Sequence, residues 1–432
     1  MHLPEPSFPN SLLYGMGLLA NLYWLYMLLI SLFGLHPARP LPPAHSYRRF
    51  AILIPAHNEA RVLGPLLDSL NQQTYPRAWF DIYVSADNCA DSTARVARSR
   101  GAIVLERFDT TQQGKTWNVP WALERIPLEQ YTGLVLFDAD NLAHPRFLGR
   151  MNDYLEAHPQ AEAIQGYLDT KNPNDSWISS SFALSFWFVN RFWQLARQRL
   201  GLSGALGGTG LLIQSETLRR MGWNPQSLTE DLEFTVSLVL TGGKVHWNDF
   251  AIVYDEKPLT LRASYRQRTR WLQGHYWVLA HYASRAFGLL LRTGRVQYLD
   301  TLILLFGPAL FALGFVSSSL SGLLWPILQA LNEPARLMEE PLGLLWPLNM
   351  IIQGLTVVVA GPSLHRRRLT LKYLPMLFPY LFFLITWFPI TLHAAWQAQH
   401  QNHWDKTAHT RAVRLEELRS DSSLEKSPAR WG

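Results

Sequence analysis

Asp138 and Asp140 stand one residue apart at the end of an apolar run, Leu134-Val135-Leu136-Phe137. An apolar run that stops in acids reads as a buried strand delivering carboxylates to a sheet edge. If the chain stays extended, both side chains share a face and can converge on one cation. Hard divalent cations take oxygen ligands, and Mg²⁺ pairs one or two carboxylates with substrate phosphates. The pair therefore predicts a site for a metal and a diphosphate. Alone, an Asp-x-Asp is more often a strand ending in an Asp-rich turn.

A site of that kind needs several strands that end together. Strand-like runs occur at Phe50–Ile54, Phe80–Val84, Gly101–Leu105 and Gly133–Phe137, and helix-like stretches such as Glu59–Asn71 and Asp91–Arg100 separate them. The alternation predicts an α/β fold with a mostly parallel central sheet and ligands beyond the strands' carboxyl ends. Three runs lead into polar clusters at that edge: Pro55-Ala56-His57-Asn58-Glu59, Ser85-Ala86-Asp87-Asn88 and Asp138-Ala139-Asp140. One polar strand end is ordinary. Three on one edge argue for a site.

The remaining sequence says where that domain sits. With 432 residues the chain exceeds one ordinary domain, and its net charge of +6 suits anionic lipid surfaces or nucleotide phosphates. No basic stripe or recognition motif accompanies that charge, so nucleic acid is not an expected partner. The 17 Trp and 21 Phe suit membrane interfaces and sugar-stacking platforms. Cys89 is the sole cysteine, which excludes an intrachain disulfide. Leu12 to Leu35 carries no charge and is long enough to span a bilayer; its length favours an anchor over a signal peptide. Arg39, Arg48 and Arg49 follow it and place the next segment in the cytoplasm. Uncharged spans return at Thr301–Ala330, Pro341–Leu364 and Tyr373–Thr391. The acidic link Glu333–Glu340 would lie outside and the basic Arg366-Arg367-Arg368 inside. Pro375, Pro379 and Pro389 leave the last span open between crossing and re-entrant forms. Trp177–Leu200 reads equally as an interfacial amphipathic helix and as a core helix, with Phe182, Phe186, Val189 and Trp193 on one face. Gly201–Gly210 reads as a backbone loop before a strand at Leu211–Gln214. The expected organisation is an anchor and linker (1–49), a cytoplasmic catalytic domain (50–276), an interfacial helix region (277–300), transmembrane or interfacial helices (301–399) and a basic-polar tail (400–432).

Several motifs fall in a fixed order. Pro55–Glu59 is followed by Asp87 and Asp91, Gly114-Lys115-Thr116, Asp138-Ala139-Asp140, Gly207-Gly208-Thr209-Gly210, Thr229-Glu230-Asp231 and Gln267-Arg268-Thr269-Arg270-Trp271. This order resembles the membrane-embedded family 2 glycosyltransferases, the cellulose, chitin, hyaluronan and poly-N-acetylglucosamine synthases. The resemblance implies a GT-A-like domain flanked by transmembrane and interfacial helices. It also implies an inverting enzyme that draws on a nucleotide-diphosphate sugar, in most members a UDP-sugar, with Mg²⁺ or Mn²⁺.

The resemblance extends to individual residues. Asp138 and Asp140 would hold the metal. Glu59, Asp87, Lys115, Asp138, Asp140, Arg268 and Arg270 would contact the nucleotide sugar. Asp231 would be the general base that deprotonates the acceptor hydroxyl. Glu230, Gln267, Trp271, Gly208 and Thr209 would face the acceptor, with Trp271 stacking on its sugar. Without the family, Thr229 is a helix N-cap and the two acids load the first turn. Trp404-Asp405-Lys406-Thr407-Ala408-His409 resembles a gating segment after the last span, with Trp404, Lys406, Thr407 and His409 carrying the likeness. Without the family, it is a juxtamembrane stretch that binds anionic lipid.

Two departures stand out. Ala86 occupies the first place of an Asp pair common in the family, and the segment before Gly207 lacks the aromatic pair of cellulose synthases. The expected function is extension of a β-linked polysaccharide at the inner membrane, with an accessory membrane subunit among the candidate partners. The alternatives are a single sugar addition to a lipid and a catalytically silent membrane subunit. The intact Thr229-Glu230-Asp231 speaks against the last.

Overall fold

The computed structural model describes residues 8–330, 351–352, 354–365, 369–401 and 413–420. Four strands come first: β1 (Phe50–Ala56), β2 (Phe80–Asp87), β3 (Ile103–Arg107) and β4 (Gly133–Leu136). Four follow: β5 (Leu142–Ala143), β6 (Ala163–Thr170), β7 (Leu211–Gln214) and β8 (Val245–Asp255). They form one eight-stranded sheet in the order β3-β2-β1-β4-β7-β6-β8-β5. The run from β3 to β4 is parallel. β7 lies antiparallel between β4 and β6, β6 and β8 are parallel again, and β5 closes the edge antiparallel to β8.

The first helices are α1 (Phe8–Leu32), α2 (Leu63–Asn71), α3 (Thr93–Ser99), α4 (Lys115–Leu123) and α5 (Phe147–Ala157). Next come α6 (Trp177–Val189), α7 (Ala196–Arg199), α8 (Ser215–Met221), α9 (Glu230–Leu240), α10 (Leu261–Thr293) and α11 (Val296–Ala330). Gly361–His365 is α12, Leu377–Ile385 is α13 and Trp387–Trp396 is α14. The sheet is covered on both faces, which explains why β1 is apolar throughout. Phe50, Ile52 and Ile54 pack with Leu63, Leu66, Leu67 and Leu70 of α2. Ala51 and Leu53 face the other way, onto Val119 and Ala122 of α4. Each fully buried Leu or Ile contributes about 1.5–3 kcal/mol.

Three described helices are long and apolar enough to cross a membrane: Gly15–Leu32, Val296–Ser317 and Leu374–Trp396. Polar contacts tie two of them, Gly15–Leu32 and Val296–Ser317, to α7. Arg197 Nε donates to both carboxylate oxygens of Asp300, at 3.1 and 3.2 Å, and the Tyr26 hydroxyl donates to Asp300 as well. That cluster joins α1, α7 and α11.

The structure shifts several expected boundaries. β3 starts at Ile103 rather than Gly101. α2 starts at Leu63 because Asn58 turns left-handed (φ 52°) before it. α3 covers only Thr93–Ser99. β4 stops at Leu136, so Asp138 and Asp140 lie in a turn and not on one face of an extended strand. The 177–200 stretch is a core helix: Ile178, Phe182, Ala183, Leu184 and Trp187 of α6 are buried. The helix continues through a wide turn at Asn190–Leu195, where the Asn190 amide donates to Leu168 O at 2.8 Å. Val189 is exposed, so the expected apolar face is not one buried stripe. The last expected span divides at Thr386, between α13 and α14. Pro389 has no N–H to return to Ile385 O, and Thr386 Oγ1 donates to Phe383 O at 2.6 Å. The expected span at Pro341–Leu364 falls partly outside the described residues. The two charged links beside it, Glu333–Glu340 and Arg366–Arg368, lie wholly outside them.

Candidate active site

The carboxyl ends of β1, β2 and β4 open onto one cavity of about 390 Å³. Glu59, Asp87, Lys115, Asp138, Asp140 and Asp231 all line it. Gly208, Thr209 and Glu230, expected to face the acceptor, line it too. Residues spread over more than 200 positions of sequence therefore meet where the three polar strand ends predicted a site.

Lys115 is the centre of the arrangement. It opens α4 directly after Gly114, whose φ of 98° only glycine adopts freely. Its ammonium lies 2.9 Å from Asp138 Oδ1, 3.1 Å from Glu230 Oε1 and 2.6 Å from Gly208 O. The ammonium thus donates to Asp138 and Gly208 and pairs with the Glu230 charge, which joins three separate segments. Burial opposes the charge, but Asp138 and Glu230 outweigh it and hold the Lys115 pKa above its ordinary value. Burial also pushes the Asp138 carboxyl up; Lys115 opposes that shift and the nearby Asp140 adds to it.

Asp231 lies in the first turn of α9, where its Oδ1 accepts the Leu232 N–H at 2.8 Å. Burial first, then the neighbouring Glu230 charge, pushes its pKa up to about 7, against Lys115 and Arg270. A carboxyl poised near neutrality is suited to general-base work. Thr229 occupies the N-cap position, but its hydroxyl makes no capping bond. The helix start is instead fixed by Glu233, which accepts the N–H groups of Gln226 and Ser227 at 2.9 and 2.8 Å.

Asp138 and Asp140 offer carboxylate oxygens, the ligand type a hard cation takes, and one of them, Asp138 Oδ1, is held by Lys115. Thr209 Oγ1 accepts the Asp138 N–H at 3.0 Å, and Lys171 Nζ donates to Asp140 O at 2.6 Å, so the turn itself is held from both sides. Among the described residues no three His, Cys, Asp or Glu side chains converge as a metal centre. Two carboxylates with substrate phosphates are the complement Mg²⁺ ordinarily uses, so the residues fit that cation.

The end of β2 is held by buried polar contacts. Asp87 is buried, with Oδ1 2.8 Å from Arg107 Nη1 and Oδ2 accepting the Gly114 N–H at 3.4 Å. His57 Nδ1 pairs with Asp87 O at 2.7 Å. Asp91 does not reach the cavity wall; it accepts Thr93 N–H at 2.9 Å and Ala60 N–H at 3.1 Å, and so fixes the loop before α3.

Of the residues expected from Gln267-Arg268-Thr269-Arg270-Trp271, three face the cavity: Gln267, Arg270 and Trp271. Trp271 is braced edge-on by Phe182, with ring centroids 6.1 Å apart. Arg268 is a correction. It is fully buried, donating to Thr386 Oγ1 at 2.9 Å and stacking over Phe383 and Trp387. It faces the break between α13 and α14 and does not line the cavity. Trp404, Lys406, Thr407 and His409 lie outside the described residues.

Sequence reasoning missed the end of β8. Asp255 and Glu256 line the cavity, with Lys257 Nζ 2.6 Å from Asp255 Oδ2 and Lys171 Nζ 3.1 Å from Glu256 Oε2. The Asn141 amide points to both Asp140 Oδ1 and Asp255 Oδ1, at 3.4 Å each. Burial pushes the Asp255 carboxyl up; Lys257 opposes, and Asp140 and Asp138 add to the rise. The signal was present: the apolar run Ala251–Tyr254 ends in two acids, as Leu134–Phe137 does.

The chain is similar to known proteins. A family model described as "Glycosyltransferase like family 2" matches residues 48–274. The probable glycosyltransferase YdaM of Bacillus subtilis is 25% identical over 284 residues, covering 63% of this chain and 65% of that protein. The beta-monoglucosyldiacylglycerol synthase of Trichormus variabilis is 28% identical over 237 residues, covering 52% of this chain and 48% of that one. The chain thus spans about half to two-thirds of these relatives' lengths. Among solved structures, the mannosyltransferase PcManGT of Pyrobaculum calidifontis, in complex with GDP-Man and Mn²⁺, superposes with a TM-score of 0.58. That likeness is at 16% identity and covers 91% of this chain and 99% of that one. It carries the fold, which is GT-A-like. The family model takes in more than half of the chain, from ahead of β1 into α10, and the chain belongs to glycosyltransferase family 2.

Proposed function

We propose that this protein is an integral membrane, inverting, metal-dependent glycosyltransferase working at the cytoplasmic face. Its donor is a nucleotide-diphosphate sugar, with a UDP-sugar as the first candidate. The observation that carries the proposal is the Lys115 hub, which sets the raised Asp231 carboxyl beside the Asp138–Asp140 turn. A base on one side and a diphosphate site on the other suit direct displacement. The acceptor oxygen forms its bond to the anomeric carbon as the carbon–phosphate oxygen bond breaks. Asp231 takes the hydroxyl proton and the electron pair leaves with the diphosphate. One displacement inverts the anomeric centre.

A Mg²⁺ or Mn²⁺ held by Asp138 and Asp140 would supply positive charge for the leaving diphosphate. The chain's own residues do the rest. Lys115 keeps donor and acceptor sides in register, Arg270 brings a cation to the same cavity, and Asp87 with Arg107 stiffens the nucleoside end.

A lipid is the better supported acceptor. The relative from Trichormus variabilis is named for a glycolipid product, and Leu374–Trp396, a candidate span, packs beside α10. Extension of a β-linked polysaccharide is the second reading, favoured by Trp271 facing the cavity as a sugar platform. Product analysis separates them. Purified protein given UDP-glucose, UDP-N-acetylglucosamine, UDP-galactose or GDP-mannose with Mg²⁺ or Mn²⁺ should add one sugar to a lipid-extractable product. A ladder of lengths would replace the lipid reading with the polymer one. No transfer from any donor would sink both.

A further inference from the structure

A second cavity, of about 480 Å³, lies on the other flank of α10 and shares Arg270 with the transfer cavity. Its α10 wall carries Tyr265, Arg266 and Thr269; its far wall carries His393, Trp396 and His400, at and beyond the end of α14. We propose that this cavity seats the phosphate-bearing headgroup of an anionic membrane lipid next to the transfer site.

Four observations lead there. The lining holds two arginines and two histidines and no acid among the described residues. Arg266 is exposed and has no acidic partner among the described residues, so its planar fork is available to a phosphate. Thr269 is buried, and its Oγ1 has no hydrogen-bond partner among the described residues. A hydroxyl left so would be satisfied by a polar ligand.

The fourth observation sets the depth. Trp396 closes the candidate span Leu374–Trp396 and is 87% exposed. An uncovered Trp at the end of a span is placed where headgroups lie. The Tyr265 hydroxyl and His393 Nδ1 are 3.0 Å apart, and the Gln273 amide donates to Gln397 O at 3.2 Å. These contacts tie α10 to α14 and keep the two walls in place. An α10 wall with two arginines, an aromatic rim and interface depth together fit a lipid phosphate.

The inference rests on reading Leu374–Trp396 as membrane-embedded, and its test needs no sugar transfer. Full-length protein in neutral detergent is titrated with short-chain phosphatidylglycerol, phosphatidylcholine or inorganic phosphate, and bound lipid is counted by native mass spectrometry. Phosphatidylglycerol should be retained over phosphatidylcholine. Arg266→Gln and Trp396→Ala, both at exposed side chains, should each weaken phosphatidylglycerol binding by about fivefold. Nucleotide binding should stay at the wild-type level in both. Equal retention of the two lipids, or unchanged binding by the variants, overturns the proposal. Displacement of phosphatidylglycerol by equimolar inorganic phosphate overturns the lipid as occupant and assigns the cavity to free phosphate. Selective lipid binding in a protein that transfers no sugar would leave this inference standing and remove the transferase reading.

Discussion

Lys115 Nζ lies 2.9 Å from Asp138 Oδ1, and the same ammonium reaches Glu230 Oε1 at 3.1 Å. The proposed donor and acceptor sides of the cavity are therefore joined by one charge. Replacing it with a neutral chain of similar length leaves three carboxylates facing one another. Lys115→Met should lower kcat by about a hundredfold, the order expected for losing a preorganised charge. It should also move the Asp231 titration to higher pH, because Lys115 favours the ionised carboxylate. Steady-state kinetics across pH would measure both effects. An unshifted profile would leave Lys115 a structural residue.

The pH dependence of the wild type follows from Asp231. A general base works only when ionised. With its pKa pushed up to about 7, kcat/KM should climb tenfold per pH unit below that value and level off above it. Asp231→Asn should abolish the limb together with most of the activity. A flat profile between pH 5 and about 8 would place the base elsewhere.

Gly208 brings its backbone against the same acid. Its φ is 76°, and a Cβ there would sit 3.3 Å from Asp231 Oδ2 and 3.8 Å from Lys115 Nζ. Gly208→Ala pays for a left-handed backbone with about 1 kcal/mol and crowds the base. Expected are a small loss of thermal stability and about a tenfold drop in kcat with the donor KM nearly unchanged. A variant with wild-type kcat would show that the loop does not position Asp231.

Arg268 should behave as a structural residue. It is fully buried, bonded to Thr386 and stacked on Phe383 and Trp387. Arg268→Met should destabilise the packing of α10 on α13 and α14 by about 1–3 kcal/mol. Donor affinity of the folded fraction should not change. Thermal unfolding in detergent and nucleotide titration test the two halves separately. A lost donor affinity with intact unfolding temperature would return Arg268 to the donor site.

The cation site is tested by binding rather than turnover. Asp138→Asn and Asp140→Asn should each weaken Mn²⁺ binding in the presence of UDP by about ten- to a hundredfold, as read by electron paramagnetic resonance. Asp255→Asn tests whether the acid at the end of β8 contributes. Retained Mn²⁺ affinity in both Asp138→Asn and Asp140→Asn would place the metal on other ligands.

Much of this site was legible because its residues end strands. An apolar run stopping in acids identifies Asp87 and Asp138 without knowledge of pairing. The same rule would have found Asp255, but Asp255 and Glu256 face the cavity only because β8 pairs with β5 beside the Asp138–Asn141 turn. That register is a tertiary fact. Arg268 was misplaced for a different reason. Gln267, Arg270 and Trp271 sit three and four apart and share a helix face, but Arg268 is also three from Trp271, so helical spacing does not separate it. Its packing on Phe383, Thr386 and Trp387, more than a hundred residues on, decides where it lies. The turn at Asp138–Asp140 depends on Thr209 and Lys171, far away in sequence, and so no local pattern announced it.

The central claim is that Asp231 takes a proton during sugar transfer from a nucleotide-diphosphate donor. The most direct measurement compares wild type and Asp231→Asn, purified at full length, for transfer of labelled sugar to lipid, with nucleotide binding followed in parallel. The account predicts transfer with an inverted anomeric linkage by the wild type. It predicts at least about a thousandfold less by Asp231→Asn, with nucleotide binding retained. Equal transfer by both proteins, or a product that retains the donor configuration, would contradict it.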